Sequence, residues 1–126
     1  MTGVGTHHLE VRGLRVVAVH GVLPEERERP QPFELDLDVA VALGPGLTDD
    51  LARTVDYGAL VERASAVVTG RSYQLLETLA DAVAAELLGA DDRVVEVEVV
   101  VRKLRPPVPA ELASVGVAVV RRRADR

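Results

Sequence analysis

The residue in this sequence best suited to moving a proton is its one lysine. Lys103 stands against fourteen arginines among the 15 basic residues of the chain. Arginine keeps its charge at any ordinary pH, whereas lysine loses its proton when its surroundings lower its pKa. A lysine at the end of a strand is also a common solvated edge residue. Lys103 is therefore a candidate acid or base, with a structural role as the alternative.

Three further residues could form a site with such an amine. Tyr57 ends the segment TVDY before a helical pattern, Glu77 lies in LLETLA at the start of a second one, and Glu26 belongs to the charged run PEERER. Each also has a structural explanation: packing at a helix entry, compensation of a helix dipole, or a solvated surface. Glu77 follows two leucines, so we expect its carboxylate to be partly buried and paired with a donor.

Composition and spacing exclude several other kinds of site. The chain has no cysteine, which excludes a disulfide, a thiolate nucleophile and a cysteine-ligated metal. His7, His8 and His20 do not follow a metal-binding spacing, and no glycine-rich phosphate loop is present. We therefore expect no metal site.

Charge and hydropathy narrow the choice of partners and of compartment. The 126 residues carry a formal net charge of -5, which disfavours a nucleic-acid partner because the phosphate backbone attracts basic surfaces. No apolar run approaches the roughly 20 residues that span a bilayer. The start of the chain lacks the basic and apolar segments of a signal peptide. We expect a cytoplasmic protein without a membrane partner.

Hydrophobic periodicity predicts a single domain over 1–126 with four strands and two helices. The predicted strands are 8–20, 33–43, 93–103 and 113–122, and the predicted helices are 57–69 and 74–88. In the third strand, the alternate valines from Val95 to Val101 are expected to point to one face. The last residues, 121–126, are expected to form a charged, frayed end.

Local signals mark the limits of these elements. Gly13 inside the first strand indicates a bulge or a bend. The segment Gly44-Pro45-Gly46 is expected to stop the second strand, and either Asp56 or Thr54 is expected to cap the first helix. Gly89 is expected to close the second helix.

The order β-β-α-α-β-β indicates an α+β fold, with an antiparallel sheet and both helices on one face. The run Val99-Val100-Val101 places apolar side chains on both faces of the third strand, and the sheet has two open edges. Natural proteins rarely leave such edges unpaired. We therefore expect a symmetric oligomer that pairs the edges and buries the second face.

Five segments, taken in their order along the chain, resemble the dihydroneopterin aldolase family. They are HGVLPEERERPQPFELDLDV, TVDYG, LLETLA, RKLRPPVP and VGVAVVR, and the similarity extends from about residue 9 to 122. The resemblance implies the tunnelling fold, assembled as an oligomeric barrel: a homo-tetramer or homo-octamer with sites between subunits. It also implies a folate-pathway lyase that splits 7,8-dihydroneopterin into 6-hydroxymethyl-7,8-dihydropterin and glycolaldehyde, without cofactor, metal or Schiff base.

The resemblance further implies which residues hold the pterin substrate. A pterin presents a 2-amino group beside a ring N–H, and one carboxylate can accept both hydrogen bonds. By position Glu77 is this anchor, and backbone groups at Leu76 and Val55 complete the edge of the ring. Asp56 adjoins this group, but its position varies in the family and is not expected to decide the activity.

The catalytic residues are implied in the same way. Lys103 corresponds to the general acid and base, Tyr57 to the tyrosine that handles the proton of the enol intermediate, and Glu26 to the loop glutamate that orients the lysine. Glu25 is the alternative if the loop is shifted by one residue, and Gln31 is implied to be structural. Many members have Lys-Pro at the lysine, whereas this chain has RKLRPP.

Two other functions stay open on the sequence. A related epimerase of dihydroneopterin triphosphate shares these motifs, and its substrate would need a basic cluster that Arg27, Arg29 and Arg105 could supply. The second alternative is a non-catalytic pterin-binding or structural oligomer, which loss of Lys103 or Tyr57 would indicate; both are present. A zinc-dependent relative on the same fold is disfavoured because its histidine triad is missing.

Overall fold

The computed structural model describes residues 5–44 and 47–123, which contain four strands and two long helices in the predicted order. The elements are β1 (Thr6–Ala18), β2 (Gln31–Ala42), α1 (Tyr57–Gly70), α2 (Leu76–Leu88), β3 (Val94–Lys103) and β4 (Val115–Arg122). Short 3-10 helices at Pro24–Arg27 and Leu51–Arg53 lie in the loops before β2 and α1. The predicted α+β class and element order are confirmed.

The observed elements differ from the predicted ones mainly at their ends. β1 ends at Ala18, so His20 lies beyond the strand. α2 begins at Leu76 rather than near residue 74, because the chain before it is occupied by the turn that leaves α1. β2 ends at Ala42. The proline and the second glycine of the predicted stop Gly44-Pro45-Gly46 lie outside the described residues.

The four strands form one antiparallel sheet in the order β1-β2-β3-β4, so each strand pairs with its neighbour in sequence. β1 and β4 are its two edges. Both helices pack on the same face, where apolar side chains from the sheet and the helices form one core. The largest fully buried side chains of this core are Phe33, Leu35, Leu37, Leu60, Leu79 and Leu87.

Two irregularities in the sheet decide which side chains reach the core. Gly13 has a φ of +71° and lies where the β1–β2 register shifts, which confirms the predicted bulge. A second shift, between Ala40 and Val41 of β2, leaves one extra residue on β3. Val94 is consequently buried and Val95 only half-buried. The prediction that Val95 begins the inward series is wrong, because a bulge reverses the alternation of side chains.

The second face of the sheet carries charged pairs as well as apolar side chains. Nη1 of Arg102 on β3 lies 2.7 Å from a carboxylate oxygen of Asp36 and 3.5 Å from one of Glu34, both on β2. Val100, the apolar residue expected to mark this face, is half-buried beside them. The predicted apolar residue on this face is therefore confirmed, and it lies beside carboxylates of β2 that pair with Arg102 across the strands.

The first three residues of the predicted charged tail 121–126 are anchored. Two of them belong to β4, which ends at Arg122. The Arg123 side chain then donates hydrogen bonds of 2.7 Å to the carbonyl oxygen of Leu88 and 2.8 Å to that of Val94. These bonds satisfy carbonyls at the end of α2 and the start of β3. The prediction of a frayed end is therefore wrong for residues 121–123. Residues 124–126 lie outside the described part of the chain.

The fold separates two ends of the molecule. At what we call the lysine end, β3 finishes at Lys103, opposite Phe33 of β2. At the other, the tyrosine end, α1 begins at Tyr57, and the Asp56 side chain accepts a 2.9 Å hydrogen bond from the N–H of Gly58, which confirms one of the two predicted caps. α2 runs back antiparallel to α1 and so begins at the lysine end. The 14 residues of α1 span roughly 20 Å between the two ends.

Candidate functional site

Lys103 and Glu26 form a buried ion pair at the lysine end. Nζ of Lys103 lies 2.7 Å from Oε2 of Glu26, although the two residues are 77 positions apart in the sequence. Their side chains are only 12% and 8% exposed. Glu25 is exposed to solvent, so Glu26 is the loop carboxylate that meets the lysine. An ion pair so far removed from water is stable only when further hydrogen bonds support it.

Two more donors hold the Glu26 carboxylate. Nε2 of Gln31 donates to Oε2 of Glu26 and to the carbonyl oxygen of His20, both at 3.2 Å, and the N–H of Leu23 donates to Oε1 at 3.4 Å. Burial raises the pKa of Glu26, but hydrogen bonds from Lys103 and Gln31 outweigh it, so this pKa lies below its usual 4.5. Glu26 is therefore an anion at neutral pH, and Gln31 is part of its support.

His20 connects this carboxylate to the loop between the helices. Its Nε2 lies 2.7 Å from the carbonyl oxygen of Val68, and the N–H of Tyr73 donates to its Nδ1 at 2.9 Å. Because Nδ1 accepts, Nε2 carries the proton. Burial lowers the pKa of His20 below its usual 6.5 and the charge of Lys103 lowers it further, against the hydrogen bond to Val68. The ring is a neutral link between the end of β1 and the start of α2.

Gly21 makes room for the loop glutamate. Its φ is +152°, and its N–H donates to the carbonyl oxygen of Tyr73 at 3.0 Å. A Cβ at this position would lie 2.5 Å from three side-chain atoms of Glu26. The family resemblance includes His20 and Gly21 but implies no role for either residue. The sequence pattern that could have indicated their roles is the His-Gly pair directly before an acidic loop.

The residues expected to contact substrate from α1 lie at the tyrosine end. Tyr57 is 67% exposed, Asp56 is exposed and caps the helix, and Val55 is buried in the core. Among the hydrogen bonds within residues 5–44 and 47–123, none joins this group to Lys103 or Glu26. One chain by itself therefore does not bring Tyr57 to Lys103, because the length of α1 lies between them.

Glu77 and Leu76 begin α2 at the lysine end. Leu76 packs against the core, whereas Glu77 is exposed. The expected partial burial of Glu77 is wrong in the single chain, because this residue precedes the buried Leu79 by two positions and so lies on the other side of the helix. Leu75, the N-cap residue, forms no side-chain cap. The first-turn N–H groups of α2 have no intrahelical acceptor and remain available to a ligand beside the carboxylate.

Each end of the molecule has an open cavity next to its group of residues. The cavity at the lysine end has a volume of about 230 Å³ and is lined by Glu26 and Gln31, with two arginines and two prolines around them. The cavity at the tyrosine end has a volume of about 590 Å³ and extends from Leu43 to Thr54, directly before Val55. A substrate that contacted both groups would have to lie where the two ends of different copies meet.

Neither a group of metal ligands nor a membrane-spanning helix occurs among the described residues. Across 5–44 and 47–123, no three His, Asp or Glu side chains are grouped so that they could hold a metal ion. His7 and His8 lie at the start of β1, and His20 lies beyond its other end. In the same part of the chain, no helix is both long enough and apolar enough to cross a membrane.

Comparison with known proteins points to one family over nearly the whole chain. The family model described as FolB, dihydroneopterin aldolase, matches residues 9–120. Dihydroneopterin aldolases of Methylorubrum extorquens and Streptomyces coelicolor are each 40% identical to this chain, over 91% and 90% of its length and 89% and 95% of theirs. The dihydroneopterin aldolase of Burkholderia thailendensis, in a crystal structure with bound guanine, is 30% identical with a TM-score of 0.78, covering 94% of this chain and 93% of that one. This chain belongs to the dihydroneopterin aldolase family.

The pKa values of two histidines are expected to be shifted in opposite directions. His20 should have a pKa below 6.5 and remain in its Nε2–H form, because burial disfavours the imidazolium ion. His8 should have a pKa above 6.5, because its Nδ1 lies 2.6 Å from the carboxylate of Asp38. Side-chain NMR of the two rings between about pH 5 and 8 measures both values. A proton found on Nδ1 of neutral His20 would contradict the hydrogen bonds assigned to this ring.

Substitution of Gly21 is expected to separate Glu26 from Lys103. Gly21→Ala adds a methyl group where the carboxylate side chain lies, so the ion pair has to open. The matched control is Gly13→Ala, which has a positive φ of +71° but no atom within 4 Å of the added Cβ. The control should lose about 1–2 kcal/mol of unfolding free energy from backbone strain, and Gly21→Ala should lose at least about 2 kcal/mol more from the broken buried pair. Urea unfolding measures both losses, and equal losses would show that Gly21 does not support the pair.

Proposed function

We propose that this protein is a 7,8-dihydroneopterin aldolase, which cleaves its substrate to 6-hydroxymethyl-7,8-dihydropterin and glycolaldehyde. The observation that carries the proposal is the ion pair of Lys103 and Glu26, an amine and a carboxylate 2.7 Å apart beside an open cavity. Relatives with this activity in their names match the chain at 40% identity. The cytoplasmic location, and the absence of nucleic-acid and membrane partners, stay predictions.

The reaction needs one proton to leave the 2′-hydroxyl group and another to arrive at C1′. Loss of the hydroxyl proton breaks the C1′–C2′ bond and releases glycolaldehyde, and the electron pair passes into the imine of the pterin ring. Protonation of C1′ in the resulting enol completes the hydroxymethyl product. We assign the proton transfers at the hydroxyl to Lys103, oriented by Glu26, and the proton of the enol intermediate to Tyr57.

The start of α2 is the proposed anchor for the pterin ring. The exposed Glu77 carboxylate can accept hydrogen bonds from the 2-amino group and the adjacent ring N–H, and the backbone at Leu76 can bond the ring beside them. Guanine, which the Burkholderia relative binds, has the same amino and N–H edge as a pterin, and this supports the assignment. Val55 is assigned a backbone contact from the tyrosine end. Asp56, which caps α1, adjoins the substrate without a chemical role.

The proposed reaction uses neither a metal ion nor a Schiff base. The imine of the pterin ring accepts the electron pair of the broken bond, which is the task that a Lewis acid or a protonated Schiff base performs in other aldol cleavages. The carboxylate of Glu26, 2.7 Å from Nζ of Lys103, holds this amine in place for proton transfer at the hydroxyl. Lysine at this position transfers protons, which an arginine does not.

We propose that a second copy of the chain completes each site. Lys103 and Glu77 lie at the lysine end and Tyr57 at the tyrosine end, so one copy would supply the first two and its neighbour the third. Both sheet edges are open, and they carry apolar side chains that are more than half exposed, Val17 at 63% on β1 and Val120 at 52% on β4. Pairing of the β1 edge of one copy with the β4 edge of the next would close a barrel of four copies. Two such rings stacked together would contain eight copies.

Product analysis with 7,8-dihydroneopterin tests the activity. The protein is expected to release glycolaldehyde, and Lys103→Arg should lower kcat at least about 100-fold with little change in KM, because the charge stays while the proton transfer is lost. Arg63→Gln, on the exposed surface of α1, is the matched control and should keep the full rate.

Borohydride added during turnover should leave the mass of the protein unchanged. Formation of only the 2′ diastereomer would show an epimerase, and binding without product would show a pterin-binding oligomer.

Mixing inactive variants tests whether two copies share a site. Hetero-oligomers of Lys103→Ala and Tyr57→Ala should regain up to about a quarter of the wild-type rate, because random assembly gives one site in four both intact side chains. Lys103→Ala mixed with Glu77→Ala is the matched control, and it should regain no activity because both residues come from the same copy. Activity in the control mixture, or none in the first, would contradict the proposed arrangement.

A further inference from the structure

His20 lies between the residues proposed to anchor the pterin ring and those proposed to move protons. It is only 2% exposed. Its ring makes an edge contact with Phe33, at 5.1 Å between the ring centroids, and stacks on Tyr73 at 5.9 Å. Phe33 pairs with Lys103 across the sheet, and Tyr73 lies three positions before the first residue of α2. The ring is therefore packed between the beginning of β2 and the segment that leads into α2.

The backbone of Tyr73 is bonded at both of its polar groups to the His-Gly pair. Its N–H donates to Nδ1 of His20 at 2.9 Å, and its carbonyl oxygen accepts from the N–H of Gly21 at 3.0 Å. Two hydrogen bonds to one residue restrict the direction of its backbone as well as its position. Leu76 and Glu77, the proposed pterin-binding residues, follow three and four positions later. The beginning of α2 is thus held by the segment that follows β1.

The backbone of His20 also supports the proposed proton-transfer pair. Its carbonyl oxygen accepts from Nε2 of Gln31, which donates to Oε2 of Glu26 as well, both at 3.2 Å. The same carboxylate oxygen lies 2.7 Å from Nζ of Lys103. His20 is therefore bonded through its ring to the segment before the pterin anchor, and through its backbone to the side chain that supports the loop carboxylate.

We infer that His20 is a positioning residue that sets the distance between the pterin anchor at the start of α2 and the proton-transfer pair of Lys103 and Glu26. The inference rests on the proposed function, in which both groups act on one substrate molecule from the same copy of the chain. The substrate hydroxyl has to lie within hydrogen-bond reach of the amine, and a displacement of about 1 Å can cost roughly 100-fold in rate. In this assignment His20 contacts neither the substrate nor the reacting atoms, and it acts through Tyr73.

Only one of the two ring hydrogen bonds of His20 leads to the anchor. Nδ1 accepts from the N–H of Tyr73, whereas Nε2 donates to the carbonyl oxygen of Val68 at 2.7 Å. The bond to Val68 satisfies a carbonyl group in the last turn of α1, and it does not hold the segment before α2. Loss of the bond at Nδ1 should therefore affect the reaction, and loss of the bond at Nε2 should not.

Two amide substitutions of His20 remove one ring hydrogen bond each and test this distinction in the assembled, full-length protein. His20→Asn places its Oδ1 where Nδ1 lies and keeps the acceptor for Tyr73, whereas His20→Gln places its side-chain nitrogen near the ring Nε2 and keeps the donor to Val68. With 7,8-dihydroneopterin, His20→Asn should keep kcat within about 3-fold, and His20→Gln should lower it at least about 10-fold. KM should change less than about 3-fold in both variants, because the anchor keeps its own contacts with the ring.

The two variants serve as controls for each other against a merely structural role. Each loses one buried hydrogen bond, so urea unfolding should show similar losses of stability, and a structural role would lower both activities alike. His20→Leu, which also has no acceptor for Tyr73, takes the place of His20→Gln if that variant does not fold.

The possible results separate this inference from the proposed function. A kcat that falls only where the bond to Tyr73 is lost, with KM kept, would support the positioning role. If the wild type releases glycolaldehyde but His20→Asn is no more active than His20→Gln, the positioning role is overturned and the aldolase stands. The same conclusion follows if KM rises as much as kcat falls. If the wild type releases no glycolaldehyde, the proposed function fails and the inference fails with it.

Discussion

A charged amine and a carboxylate withdrawn from water are the interaction on which this site depends. Removing either charge from solvent costs several kcal/mol, and the attraction between them compensates only when both are held at short range. The 2.7 Å contact of Lys103 with Glu26 meets that condition, and it is met because Gln31 and the backbone of Leu23 bind the same carboxylate. The loop that carries Glu26 is thereby fixed to the sheet.

The register of the sheet and the direction of the helices distribute the remaining chemistry. Pairing of Phe33 with Lys103 brings the end of β3 beside the beginning of β2, and His20 fastens the loop before α2 to the same place. The antiparallel helix pair then carries Tyr57 to the far end. Within one copy, this geometry keeps the two groups of proposed site residues apart. The proposed site therefore makes activity depend on assembly.

Sequence reasoning predicted the elements well and the contacts unevenly. Alternating valines and helical stripes identified the four strands and the two long helices of the described residues, because burial of one face imposes a period on the sequence. The reasoning failed where a local irregularity changed that period, as at Val95 beside the bulge, and where an arginine found backbone acceptors, as at Arg123. It placed Glu77 partly in the core, since adjacent leucines do not reveal which side of a helix a residue occupies. It gave no role to His20, whose partners lie about 50 positions away.

The amino-acid sequence by itself determined the α+β class, the order of the elements, the family, and the residue types of the site, with one lysine among many arginines. Those properties depend on local periodicity and on motifs that are short, contiguous segments of the sequence. Only the tertiary structure decided that Glu26 rather than Glu25 meets Lys103, that Gly21 has no space for a side chain, and that Tyr57 lies at the opposite end. Contacts between residues far apart in sequence depend on register and loop path, and no short segment encodes either one.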